Sequence, residues 1–133
     1  MIKGLWNIGL KADDLDKEVE FLQKVGARFV LRDRLPYGSE YVVLELGGHR
    51  MLIFSPKVVF EDQIPEEVRP GLTHAVYEVD DFESEFEKIK ALGAEILIPP
   101  RDVDAGFGTR RIAFFRSPNG FVFEIMQVFE ARV

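Results

Sequence analysis

The alternation of apolar and polar residues in the first quarter of the chain recurs, without a gap, 67 positions later. Residues 4–30 align with residues 71–97, and each segment begins with a strand-like run of alternating residues. A helical run follows in which apolar residues are spaced i, i+4, i+7 and i+10, as on one face of an α-helix. The pattern therefore predicts two equivalent helices, with apolar faces Leu15, Val19, Leu22 and Val25 in the first and Phe82, Phe86, Ile89 and Leu92 in the second.

Identical residues support an internal duplication. Eight of the 27 aligned pairs match, where chance gives about one or two. Each helix is preceded by an Asp-Asp pair, Asp13-Asp14 or Asp80-Asp81, that can cap its N-terminus. Each also ends at a glycine, Gly26 or Gly93, suited to the left-handed C-terminal position.

The rest of each half has the pattern of a β-hairpin. Turn signals stand at Gly47-Gly48 and at Pro118-Asn119-Gly120. Each half is therefore predicted as a βαβββ module, at about 4–56 and 71–128, with 57–70 as the connector. Because neither half of about 60 residues can bury its sheet face alone, we predict a single α+β domain over residues 1–133.

Strand alternation places a few polar side chains together. With the apolar residues of the two first strands under the helices, Asn7 and His74 fall on the opposite, concave face of the sheet. Glu124 interrupts the apolar run "FVFEIM" and needs a partner, because burying a carboxylate unpaired costs several kcal/mol. The equivalent position in the first half is Leu52. Trp6 is predicted on the face opposite Asn7, as a core residue or a dimer contact.

Composition restricts the range of functions. The chain has 133 residues and a net charge of −6, without a cluster of Lys and Arg, which argues against a nucleic-acid partner. We expect no membrane association and a cytoplasmic location, since no apolar run approaches the length of a spanning helix and no secretory signal is apparent. The chain has no cysteine, no CxxC motif, no Gly-rich phosphate loop and too few histidines for a Ser-His-Asp site, so metal chemistry would depend on His, carboxylates and oxygen donors.

The paired modules resemble the vicinal oxygen chelate superfamily. Three segments carry this resemblance: "DDLDKEVEFLQKVGARF", "THAVYEV" and "FFRSPNGFVFEIMQ". This superfamily includes glyoxalase I, the bleomycin resistance proteins and the extradiol dioxygenases. The resemblance implies an incomplete barrel around a ligand cleft, a homodimer, and in many members a divalent ion held by the first and last strands of each module. The corresponding positions here are Asn7, Leu52, His74 and Glu124, of which only His74 and Glu124 match the usual ligands.

Two hypotheses for function follow from the resemblance. In the first, the protein is a lyase, isomerase or oxygenase that polarises vicinal oxygens of a small molecule with a divalent ion (Mn, Fe, Ni, Zn or Mg) on His74 and Glu124, with Asn7 as a third donor. Glu124 is then also the candidate catalytic base. In the second, a metal-free protein of the bleomycin-resistance type binds an apolar or aromatic molecule among Leu52, Phe54, Val76, Val122 and Met126. Without an ion, Asn7, His74 and Glu124 are expected to hydrogen-bond one another.

Other charged residues are assigned by strand and helix periodicity. Arg110 and Arg111 alternate faces, so one of them should point into the cleft. We take this to be Arg110, which can then bind an anionic group bidentately. The alternative is a solvated charge at the sheet edge, since Arg is usually exposed. We expect His49 at the surface and Glu83, Glu85 and Glu87 on a solvated helix face.

Overall fold

The computed structural model describes residues 1–133 and contains eight strands and two α-helices. The strand–helix–strand–strand–strand order occurs twice, as predicted. A short 3-10 helix, Glu61–Gln63, lies in the segment between the two halves. In chain order the elements are β1 (Ile2–Lys11), α1 (Leu15–Val25), β2 (Arg28–Arg34), β3 (Glu40–Leu46), β4 (His49–Ser55), β5 (Gly71–Val79), α2 (Phe82–Ala91), β6 (Glu95–Ala105), β7 (Gly108–Arg116) and β8 (Val122–Ala131).

Both helices are capped by the second aspartate of the preceding Asp-Asp pair. The Asp14 carboxylate accepts a hydrogen bond from the Lys17 amide at 3.0 Å, and the Asp81 carboxylate accepts one from the Ser84 amide at 3.2 Å. The predicted apolar faces are confirmed except at their last positions. Val25, the last residue of α1, and Leu92, just past the end of α2, are exposed.

All eight strands form one curved sheet in the order β2-β3-β4-β1-β5-β8-β7-β6. The antiparallel β1–β5 pair joins the halves, and each half pairs its first and last strands in parallel. Each helix packs its apolar face on one side of the sheet, over a small core cluster. The largest core cluster lies on the other, concave side, so the sheet forms the incomplete barrel that the resemblance implied.

Trp6 lies on the concave side, so its predicted position on the opposite face is wrong. The β1–β5 register shifts between Leu5 and Asn7, and this bulge breaks the strand alternation. Trp6 consequently packs in the same core cluster as Leu52 and Val76.

Glu85 is also not solvated as predicted. Its side chain is buried, with Oε1 at 2.9 Å from the N-terminal amine and Oε2 at 3.4 Å from Lys88 Nζ. Neither helix is long and apolar enough to cross a membrane.

Candidate functional site

The concave face encloses a cavity of about 670 Å³. Its lining includes most of the residues predicted for a ligand cleft: Asn7, Leu52, Phe54, His74, Val76, Arg110 and Glu124. Val122 lies instead beside a separate hollow next to the connector. Met126 is fully buried beneath Arg110, and its Sδ accepts a hydrogen bond from Arg110 Nη1 at 2.8 Å. Neither Val122 nor Met126 lines the cavity, which corrects the prediction for both.

Strand register places the three polar side chains on one wall of this cavity. Val76 on β5 pairs with Asn7 on β1 and with Glu124 on β8, so Asn7 and Glu124 flank it in one row. His74 lies two residues along β5 and pairs with Gly9. Neighbouring strands lie about 4.8 Å apart. A bound molecule of modest size can therefore contact all three side chains.

The imidazole of His74 lies directly over Gly9. A Cβ atom at position 9 would stand closer than 3.0 Å to Cε1, Nδ1 and Nε2 of the ring, so only glycine fits there. The His74 side chain is 3% exposed, and the rings of Phe60 and Phe114 lie 5.3 and 5.5 Å from it, centroid to centroid. The sequence interpretation did not include Gly9. The available signal was an isolated glycine inside a strand, which often marks a close approach of another group.

A hydrogen-bond chain fixes the tautomer of His74. The Thr73 hydroxyl donates its only proton to the Gly9 carbonyl at 2.9 Å, so it accepts the 2.9 Å hydrogen bond from Nδ1–H of His74. Burial lowers the pKa of His74 to about 4, so the ring is neutral at pH 7. The Nε2 lone pair makes no hydrogen bond. Metal-binding histidines are oriented in the same way, through the second ring nitrogen.

Glu124 and Asn7 also retain free acceptor atoms. Glu124 is 9% exposed and forms neither a hydrogen bond nor an ion pair. Burial raises its pKa to about 8, although the positive charges of Arg110 and Arg101 act in the opposite direction. Asn7 donates from Nδ2 to the Ile8 carbonyl at 3.1 Å, and its Oδ1 has no donor. The three polar side chains do not bond one another, so the expected mutual network is absent.

The donor set fits some divalent ions better than others. No group of three His, Cys, Asp or Glu side chains is arranged to hold a metal, and Leu52 cannot serve as a fourth ligand. The four-ligand centre of glyoxalase-like members therefore does not fit this chain. Asn7, His74 and Glu124 offer an amide oxygen, an imidazole nitrogen and a carboxylate, and the amide oxygen suits Mg²⁺ or Mn²⁺ better than Zn²⁺.

The two neighbouring arginines of β7 point in opposite directions. Arg111 is on the outside, where it pairs with Asp102 and Glu83. Arg110 is 3% exposed and lines the cavity, with its guanidinium carbon 4.4 Å from the Trp6 ring centroid and 3.8 Å from that of Phe107. Burial lowers the pKa of Arg110 to about 10, so it stays charged at pH 7. The solvated alternative thus holds for Arg111 and is wrong for Arg110.

Comparison with known proteins gives concordant results at three levels. The family model described as "Glyoxalase/Bleomycin resistance protein/Dioxygenase superfamily" matches residues 5–125. A probable lactoylglutathione lyase of Vibrio cholerae is 28% identical over 120 residues, covering 89% of this chain and 86% of that protein. A structure of methylmalonyl-CoA epimerase with methylmalonyl-CoA and ammonium has a TM-score of 0.79 at 19% identity, over 98% of each chain. Methylmalonyl-CoA epimerase from Mycobacterium tuberculosis has a TM-score of 0.76 at 18% identity, over 97% of this chain and 90% of that one. At these identities the structural likeness shows a shared fold.

Proposed function

The chain belongs to the glyoxalase/bleomycin resistance protein/dioxygenase superfamily, and on that basis we propose that it is a small-molecule enzyme that uses a divalent ion bound by Asn7, His74 and Glu124. The reaction class is that of the superfamily, in which vicinal oxygens of a substrate are polarised in a lyase, isomerase or oxygenase reaction. One observation carries the proposal. Three buried side chains present free acceptor atoms on one cavity wall, and none has a hydrogen-bond donor.

A cation explains this arrangement more economically than separate donors. The free acceptor atoms of these three residues open onto the cavity, where water, a ligand or an ion can reach them; the fully buried side-chain atoms without a partner are Glu85 Oε2 and Arg110 Nε. Protonation of Glu124 removes its charge but leaves Asn7 Oδ1 and His74 Nε2 without a donor. A single ion accepts lone pairs from all three groups, and Thr73 already holds the His74 ring in the tautomer that such binding requires.

The residues around the wall define the chemistry that the site supports. A divalent ion, when bound, supplies Lewis acidity that polarises substrate oxygens. Glu124 is the candidate base, since a carboxylate whose pKa is about 8 in the metal-free cavity can hold a proton near neutral pH. Leu52 and Phe54 form an apolar border that excludes water and strengthens electrostatic interactions inside.

Metal titration tests the proposal. Protein treated with a chelator is titrated with Mn²⁺, Mg²⁺, Fe²⁺, Ni²⁺ and Zn²⁺ in a calorimeter, in two buffers of different ionisation enthalpy. We expect one ion per chain and proton release from Glu124 on binding at pH 7. His74→Ala and Glu124→Gln should each weaken binding by at least about tenfold.

Two variants serve as matched controls. His49 is the other histidine and is exposed at the start of β4, and Glu130 is an exposed glutamate on the same strand as Glu124. His49→Ala and Glu130→Gln should bind the ion like the wild type. If no ion binds stoichiometrically, or if all four variants behave alike, the metal proposal is wrong.

A metal-free binding protein is the second candidate, and the pKa of Glu124 favours it. A carboxyl group with a pKa of about 8 is mostly neutral at pH 7 and needs no cation. The cavity volume of about 670 Å³ lies in the usual range for small-molecule sites. Protein that binds a small ligand but none of the five ions would support this candidate. The homodimer implied by the resemblance stays a prediction, which light scattering after size-exclusion chromatography tests.

A further inference from the structure

Arg110 is a buried cation without an anionic partner. No carboxylate oxygen lies within 4 Å of its guanidinium, and its Nε is buried with no acceptor at all. Its two acceptors are weak: the thioether of Met126 and the Phe107 carbonyl at 3.5 Å. A buried guanidinium normally pairs with a carboxylate or phosphate, because leaving the charge unpaired costs several kcal/mol.

The carboxylates around the cavity are mostly engaged elsewhere. Asp102 pairs with Arg111 and Asp104 with Arg132, both on the outer surface. Asp33 accepts a hydrogen bond from the Gly106 amide. Arg101 lines the same cavity as Arg110 and forms no ion pair. The cavity therefore contains unpaired positive charge, although the chain as a whole carries a net charge of −6.

The surroundings of Arg110 prepare it for a planar anion. The Trp6 and Phe107 rings lie against the guanidinium and restrict its orientation. Its N–H donors are therefore accessible only along the edge of the guanidinium plane. A carboxylate has two oxygens in the geometry that such an edge binds in parallel, and it would replace the weak thioether contact.

We propose that the ligand of this cavity is a small aromatic carboxylate, bound through its carboxylate group by Arg110 and through its ring by the aromatic residues Phe54 and Phe107. The inference rests on the proposed function only in taking the cavity as the ligand site. It requires no ion, since Arg110 lies on β7 and is not one of the three proposed metal donors.

Trp6 provides a built-in reporter for the test. It is the only tryptophan in the chain, and its ring contacts the Arg110 guanidinium. Chelator-treated protein is titrated with benzoate, phenylacetate and 3-phenylpropionate, and separately with the corresponding neutral amides. Binding is followed by Trp6 fluorescence and by calorimetry. We expect the tightest acid to bind at least about tenfold more tightly than its amide, which has the same shape without the charge.

Variants assign the binding to one residue. Arg110→Gln should weaken binding of the acid by at least about tenfold, while Arg111→Gln, its outward-facing neighbour, should stay within about twofold of the wild type. Arg110→Lys keeps the positive charge but loses the planar group that donates two parallel hydrogen bonds, so it should give an intermediate affinity. The comparison of acid with amide uses wild-type protein alone, so it remains decisive if the Arg110 variants fail to fold.

Several results would overturn the inference: equal binding of acid and amide, tighter binding of phenyl phosphate than of benzoate, an unaffected Arg110→Gln variant, or no binding of any acid. Because these titrations exclude metal, they fail or succeed independently of the metal titration. Carboxylate binding without metal binding would leave the present inference in place and contradict the metal proposal.

Discussion

At the scale of single residues, Gly9 determines where the imidazole of His74 can lie. A methyl group at position 9 would overlap the ring, so Gly9→Ala should lower the free energy of unfolding by about 1–3 kcal/mol through overpacking. The cost should largely disappear when the ring is removed. We therefore expect the double variant Gly9→Ala/His74→Ala to be clearly more stable than the sum of the two single variants predicts, as measured by urea unfolding.

The same cycle includes a functional measurement. Gly9→Ala should also weaken Mn²⁺ binding, because a displaced ring no longer directs Nε2 at the cavity. Additive stability changes in the cycle would show that the ring does not rest on Gly9. The packing described here would then be wrong.

Glu124 should make the metal-free protein less stable as the pH rises. Its pKa is raised from 4.5 to about 8, so between these values the folded state holds a proton that the unfolded chain releases. The stabilisation is complete below pH 4.5 and is lost as the pH rises through 8. His74 acts in the opposite direction, but only between about 4 and 6.5, since its pKa is lowered. Between pH 6.5 and 8, titration of Glu124 should lower the free energy of unfolding by up to about 1.4 kcal/mol per pH unit.

Thermal and urea unfolding at pH 6.5, 7.25 and 8 measure this loss. Glu124→Gln should remove the slope, because glutamine does not titrate, whereas Glu130→Gln on the same strand should keep it. If the wild type and Glu124→Gln respond equally to pH, the carboxyl group of Glu124 is not buried as described. Added Mn²⁺ should also reduce the slope if the ion binds, since it replaces the proton.

Sequence reasoning identified the titratable residues of the site better than their surroundings. His74 and Glu124 are conspicuous as polar residues in apolar strands, and strand alternation gave their common face. Trp6 was assigned to the wrong face because a single bulge reverses the alternation, and no local signal marks that bulge. Gly9 packs under the His74 ring, and Phe107 packs against the Arg110 guanidinium. The pattern of residues along one strand does not reveal such contacts between different parts of the chain.

At the scale of elements, the Asp-Asp pairs allow a direct test of helix capping. Asp14 accepts the Lys17 amide hydrogen bond at the start of α1, whereas Asp13 makes no hydrogen bond. Asp14→Ala should lower the free energy of unfolding by about 1 kcal/mol, within the range of N-cap losses. Asp13→Ala is the matched control and should stay within about 0.5 kcal/mol of the wild type by urea unfolding. An equal loss in both variants would mean that the negative charges stabilise the helix through its dipole, and that the N-cap hydrogen bond contributes little.

Most elements follow from local sequence signals. The helical spacing, the capping aspartates and the hairpin turns each depend on residues that are close in sequence, and each was predicted correctly. The exposed ends of the helix faces, Val25 and Leu92, show where this reasoning stops. Whether the last apolar residue of a helix packs depends on how far the sheet extends beneath it, and that is a tertiary property.

At the scale of the whole molecule, the two halves meet through the antiparallel β1–β5 pair. The pairing brings Asn7 from the first half and His74 from the second to one cavity wall. The duplicated sequence predicted that these equivalent positions share a face, but not which strands pair or at what register. The cavity is therefore a product of the assembled sheet, and neither half contains it alone.

The strands at the two ends of the sheet, β2 and β6, are not hydrogen-bonded to each other, and Asp33 links the two sides of this gap. At the end of β2, Asp33 accepts a hydrogen bond from the Gly106 amide at 3.0 Å, in the turn after β6. Asp33→Ala leaves this amide without its acceptor, so we expect a loss of about 1–2 kcal/mol in the free energy of unfolding. The Gly106 amide hydrogen should also exchange faster with solvent, as measured by hydrogen–deuterium exchange.

Asp62→Ala is the control, because Asp62 is exposed and pairs only with Lys57 within one segment. That variant should change stability by less than about 1 kcal/mol and leave Gly106 exchange unchanged. Because Asp33 and Gly106 both line the cavity, opening the gap in Asp33→Ala should also weaken binding of the carboxylate probe, although Arg110 lies on β7. Unchanged exchange at Gly106 would mean that the barrel stays closed without Asp33, and that the pairing of β1 with β5 is sufficient to hold the two halves around the ligand.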